Sequence, residues 1–112
     1  MRQDFDADVL NDAGLRPLVD AAADLLDAES EGTAMPARAT WSVDRPRTGP
    51  PVVRVRLEDD TGVTECRLTL EYLIDPLYRR LNVVRLWGHV LANRSERLFR
   101  QAVAAVSGEF AA

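Results

Sequence analysis

The chain has no lysine, a single cysteine, a single histidine and no long apolar run. Each scarcity excludes something. One cysteine, Cys66, cannot close an internal disulfide. One cysteine and one histidine, His89, are too few for a zinc site built on those ligands. No apolar stretch approaches the roughly 20 residues of a membrane-spanning helix, and no basic segment followed by an apolar one marks a secretory signal. The expectation is a reducing, cytoplasmic setting without membrane contact. The six glycines are scattered, so no phosphate-cradling glycine loop is present.

All 14 basic residues are therefore arginine. Codon bias in a GC-rich bacterial genome explains this, and the abundance of alanine and aspartate agrees with it. The alternative is selection for forked guanidinium donors. At 112 residues, 46 % hydrophobic and 29 % charged, the chain suits one globular domain. Its charge is polarised. Residues 1–37 hold two arginines against nine acids, a balance of −7, and residues 38–112 hold twelve against nine, a balance of +3. Such polarity suits an acidic face meeting a basic one, within one molecule or between copies, and the acidic segment would repel phosphate.

Residues 1–14 are acidic and weakly patterned, and are expected to form an arm outside the domain at 15–108. Residues 109–112 are expected to be a tail. Leu15, Leu18, Val19, Ala22, Leu25 and Leu26 make one helical stripe, which predicts a helix over 15–29 with Pro17 in its first turn. "ARATWSVD", "VVRVRLE" and "VTECRLTL" alternate apolar and polar residues and predict strands, the last two joined through the turn residues "DDTG". Asp75-Pro76 reads as the N-cap and first residue of a helix. Asn93 and Glu96 read as a break with a fresh cap before a last helix that ends at Ser107-Gly108. The expected fold class is α+β, a three-stranded antiparallel meander with helices packed on one face, in the order α-β-β-β-α-α. Its α-β-β-β-α part also occurs in double-stranded RNA-binding domains, but no motif matches them and the first helix here is acidic.

The chemistry-bearing residues are sparse. Asp4, Asp6 and Asp8 alternate as in a calcium loop, but Val9 and Leu15 stand where such a loop needs glycine and glutamate. Cys66 falls on the apolar phase of its strand, and no serine near His89 has the context of a nucleophile. No cofactor or metal is implied, and the chain reads as non-catalytic, with an enzyme built on His89 as the weakest alternative. On the outward phase of the hairpin, Arg54, Arg56 and Arg67 face Glu58 and Glu65, which predicts cross-strand ion pairs.

The segment "LYRRLNVVRLWGHVLANRSERLFRQ" is the most informative. Leu77, Leu81, Val84, Gly88 and Leu91 form one stripe, while Val83, Leu86, Trp87 and Val90 form a second about a third of a turn away. A helix with two apolar arcs touches two things. Tryptophan and arginine are enriched at the centres of protein interfaces. This predicts an interaction module that docks a protein partner, or a second copy of itself, through Trp87, Val83, Leu86 and Val90, with Arg79, Arg85, Arg94, Arg97 and Arg100 around them. The alternative use of these arginines is nucleic-acid binding.

Overall fold

The computed structural model describes residues 1–33 and 35–110, without the side chains of 109 and 110. The alternating segments form the strands that their pattern dictates. The first two are Ala37–Asp44 and Val52–Asp59, and the third is Gly62–Thr69. They pair antiparallel, with Trp41 opposite Val55 and Val55 opposite Cys66. Trp41, Val53, Val55, Leu57 and Leu68 point to the core face and are buried. On the other face Arg54 bridges Asp44 at 3.4 Å and Glu65 at 3.2 Å, a cross-strand pairing of the expected kind.

The sheet has four strands, not the three of the expected meander. Arg2–Phe5 adds an edge strand, β1, which runs parallel to Ala37–Asp44 (β2); Val52–Asp59 and Gly62–Thr69 are then β3 and β4, in spatial order β1-β2-β3-β4. The physical reason lies in Trp41. Its buried indole N–H needs an acceptor, and the Gln3 side-chain oxygen accepts it at 2.6 Å while the Gln3 amide donates to the Ala23 carbonyl at 2.7 Å. The expected arm is therefore tied into the sheet. A helical turn follows at Ala7–Leu10 (α1), where Val9 is fully buried.

The predicted first helix spans Arg16–Ser30 (α2). Asp12 prepares its start, accepting the N–H groups of Gly14 and Leu15 at 3.0 Å and an Arg45 hydrogen bond at 2.5 Å. The Leu15 N–H, the Arg45 guanidinium and the Gly14 N–H hold the Asp12 carboxyl below its usual range. Val19, Ala22, Ala23 and Leu26 face the core. After β4 comes a short helix, Leu70–Ile74 (α3), with Leu73 buried. Asp75 then caps the next helix as its sequence context predicts, accepting the N–H of Leu77 at 2.8 Å and of Tyr78 at 3.2 Å.

That helix is one element of 35 residues, Pro76–Phe110 (α4), and it runs unbroken through Asn93–Glu96 and past Gly108. The expected break and second helix are absent. Polar residues at 93–97 serve a different purpose, because this stretch lies over the β3–β4 turn. Asn93 donates to the Thr64 hydroxyl at 3.3 Å instead of capping, and Arg94 reaches Asp60 at 2.7 Å. Arg97 donates to the Val63 carbonyl and stands 3.9 Å from Asp59. Gly62, at φ +153°, makes room for it, since a Cβ there would lie 3.1 Å from Arg97 Nε. Of the expected tail, residues 109 and 110 continue α4, and 111 and 112 lie outside the described residues.

The layers are thus a sheet with α2, α3 and α4 on one face, in the order β-α-α-β-β-β-α-α. The Asp59 side chain is only 2 % exposed and that of Arg97 25 %. Burial pushes the Asp59 carboxyl up. The Thr61 hydroxyl and N–H, Arg97 and the Gly62 N–H overrule it and leave the carboxyl below its usual value. A carboxyl depressed by folding stabilises the native state above its unfolded pKa, and the contribution fades as pH falls through the folded value. Arg97→Ala, which strands Asp59, is expected to cost about 2 kcal/mol in urea denaturation at neutral pH, below the usual range for a fully buried pair because Arg97 is partly solvated. The penalty should shrink as Asp59 is protonated. Asp59→Asn should flatten the acid limb of the stability curve; an unchanged acid limb would show that Asp59 is not a source of it.

Candidate interaction surface

At about 100° per residue, α4 divides into two apolar arcs whose centres lie roughly 130° apart. The inward arc is Val83, Leu86, Trp87 and Val90. All four are buried by α2, α3 and the sheet, and Trp87 keeps only 3 % of its surface. These residues were expected to face a partner, but they face the domain's own core. The reason is that the sheet and α2 together form a trough wide enough for a tryptophan, a coverage that depends on tertiary packing and not on the helix's own pattern.

The outward arc is the other stripe. Leu77, Leu81, Val84, Gly88, Leu91, Ser95, Leu98 and Ala102 follow one another at alternating intervals of four and three, the heptad spacing of a helix that packs along another helix. None carries a charge, although charged residues make up 29 % of the chain. Leu77 is 64 % exposed, and Leu81, Val84 and Leu98 are also open to solvent. Phe99, 69 % exposed, and Val106 widen the stripe at its far end. Scattered exposed leucines are ordinary; here the exposed apolar residues form a continuous uncharged row along one helix.

Beyond Arg97 the helix leaves the domain. Every residue from Leu98 to Gly108 is exposed, whichever way it points. Stand-alone helices shorter than ~12–15 residues are marginal in water and are stabilised in proteins by packing an apolar face. The overhang carries such a face in Leu98, Phe99, Val103 and Val106, and nothing in the monomer covers it.

Most of the arginines expected around the surface are engaged within the molecule. Arg79 donates to the Leu73 carbonyl at 2.9 Å. Arg94 grips Asp60 through two hydrogen bonds, Arg97 holds the β3–β4 hairpin, and Arg100 pairs with Glu96 one turn away. Arg85 is exposed and makes no hydrogen bond or ion pair among the described residues. It lines a cleft between β4 and α4 with Arg67, Tyr72 and His89. Cys66 also lines that cleft, and burial pushes its thiol up, away from the reactive thiolate. Among the described residues no three His, Cys, Asp or Glu side chains are grouped to hold a metal ion. No helix among them is long and apolar enough to cross a membrane.

Sequence reasoning found the Leu77–Leu91 stripe and expected the Trp87 arc to face a partner, whereas that arc is buried within the monomer. It also missed the overhang, because splitting the helix at Asn93 hid the link between Leu91 and Leu98. The unbroken four-three spacing through Ser95 is the signal that joins them. No family model, no curated protein and no solved structure matches the chain.

Proposed function

We propose that the chain is a non-catalytic assembly module that pairs with a second copy of itself through the outward arc of α4. One observation carries the reading: an uncharged, heptad-spaced row from Leu77 to Ala102 continues onto a helical overhang that its own domain leaves bare. A second copy fits both halves of that row. In an antiparallel pairing with Leu91 near the two-fold axis, the overhang of one protomer lies along Leu77, Leu81 and Val84 of the other, and the reverse holds by symmetry. Gly88 then falls opposite Ser95, two small residues that let the backbones approach closely. The exposed Ile74 and Tyr78 sit beside the covered end. One symmetric contact removes both uncovered patches.

The nucleic-acid alternative has less support. Arg79, Arg94, Arg97 and Arg100 are engaged within the chain, and the acids that hold the last three lie beside them. A phosphate backbone is bound by arginines free to displace the cations condensed on it.

Light scattering should give twice the chain mass for the wild type at micromolar concentration. Leu81→Asp and Leu98→Asp should each give a folded monomer with unchanged near-ultraviolet dichroism. A wild-type chain that stays monomeric at millimolar concentration would overturn the proposal. Trp87→Ala should behave differently, losing about 3–5 kcal/mol of stability as a core cavity is opened. If that variant were instead a stable monomer, the pairing arc would be the inward one.

A further inference from the structure

The overhang of α4 carries more apolar surface than the row needs. Leu98 and Ala102 continue the row, but Phe99 and Val103 lie to one side of it, roughly 50° and 90° round the helix from its centre. The opposite flank of the overhang holds Gln101 and Gly108 instead. Phe99 is also the most exposed large apolar side chain among the described residues, at 69 %. A surface that covers the overhang is therefore broader than one helical stripe, and broader on one known side.

The same flank is bare at the other end of the row. Arg85 and Tyr78 stand roughly 90° and 110° round from the row, in the same sense as Phe99 and Val103. Arg85 forms the α4 side of the cleft against β4, together with Asn82 and His89. Tyr72 also lines that cleft and meets Tyr78 edge-on, ring centres 6.1 Å apart. None of the nine lining residues is acidic, and Arg85 makes no hydrogen bond or ion pair among the described residues. A two-fold axis that pairs antiparallel helices brings each flank against the same flank of the other copy. On this flank Ala92 sits beside Leu91, and Arg85 and Phe99 lie seven residues to either side of it. Tyr78 and Val106 lie fourteen to either side. Each of these two pairs therefore comes to one height across the interface.

We propose that the overhang of each copy closes the β4–α4 cleft of the other, with the Phe99 ring over the Arg85 guanidinium and Val106 against Tyr78. The inference rests on the pairing of α4 proposed above, and it fixes the direction and register of that pairing. An arginine with no carboxylate competing for it suits an aromatic face, on which a guanidinium stacks through both its charge and its plane. Both side chains are open in the single chain, so no contact has to be broken first. A parallel pairing sets like residues at one height and leaves Phe99 about 21 Å along the axis from Arg85, with both clefts uncovered.

Two variants test it, Arg85→Cys and Phe99→Cys, each also carrying Cys66→Ala. Mixed and treated with a short bis-maleimide, they should yield a covalent dimer that neither gives alone, because in the antiparallel pair each new thiol lies about 21 Å from its counterpart in the other copy. Linking of Phe99→Cys to itself would show parallel pairing and overturn the inference. So would a mixture that fails to link although light scattering shows a dimer. A chain that is monomeric by light scattering would overturn the pairing of α4 as well. Phe99→Leu keeps the apolar bulk and removes the ring at a position exposed in the single chain. It should raise the dimer dissociation constant about tenfold, about threefold for each of two exposed cation–π contacts. Arg85→Gln should do the same, and the two changes together should do no more than either alone. Additive losses would show that the two residues do not meet.

Discussion

The rotation of α4 about its own axis is the constraint on which the other features depend. An apolar helix with two greasy arcs could lie on the sheet either way round, and hydrophobic burial alone discriminates weakly between leucines and valines on one side and on the other. The polar contacts at the β3–β4 turn decide it. Asn93 to Thr64, Arg94 to Asp60 and Arg97 to Val63 all leave the helix from the inward arc, Asn93 and Arg97 in line with Leu86 and Arg94 in line with Trp87. With that edge fixed to the hairpin, Trp87 goes into the core, Leu81 and Val84 go to solvent, and Arg85 and His89 go to the cleft. Gly62 belongs to the same device, since a larger residue would push Arg97 away.

The charge polarity of the chain is explained in part by contacts within it. Asp4 meets Arg38 and Asp12 meets Arg45, so acids of the first segment pair with arginines in and just after the second strand. Asp59 and Asp60 take the arginines of α4. The acidic outer face of α2, with Asp20 and Asp24, remains solvated. The Leu77–Ala102 row is itself uncharged, which suits the pairing proposed for it.

Much of this fold is legible in the residues. The helix predicted over 15–29 spans 16–30, the three alternating segments are strands, and Asp75-Pro76 starts a helix as its chemistry dictates. Three features are not legible, each for a physical reason. β1 is four residues long at a sheet edge, so it has no buried alternation to show; what places it is Gln3 reaching an indole 38 positions away. Asn93 and Glu96 have the spacing of a helix start, yet their partners are a distant threonine and a neighbouring arginine. Which of two apolar arcs turns inward depends on the hairpin's contacts, and periodicity carries no information about them.

The parallel placement of β1 has a consequence for how the chain reaches this state. The register that sets Arg2 opposite Arg38 cannot form until α2 has been spanned and β2 exists. The antiparallel hairpin of β3 and β4 closes locally, whereas this pairing closes a loop of more than thirty residues and carries a larger entropic barrier. Until it closes, the Trp41 indole lacks the Gln3 acceptor that satisfies it in the native state. The edge strand is in that sense a late latch: docking it both completes the sheet and satisfies the buried indole of Trp41.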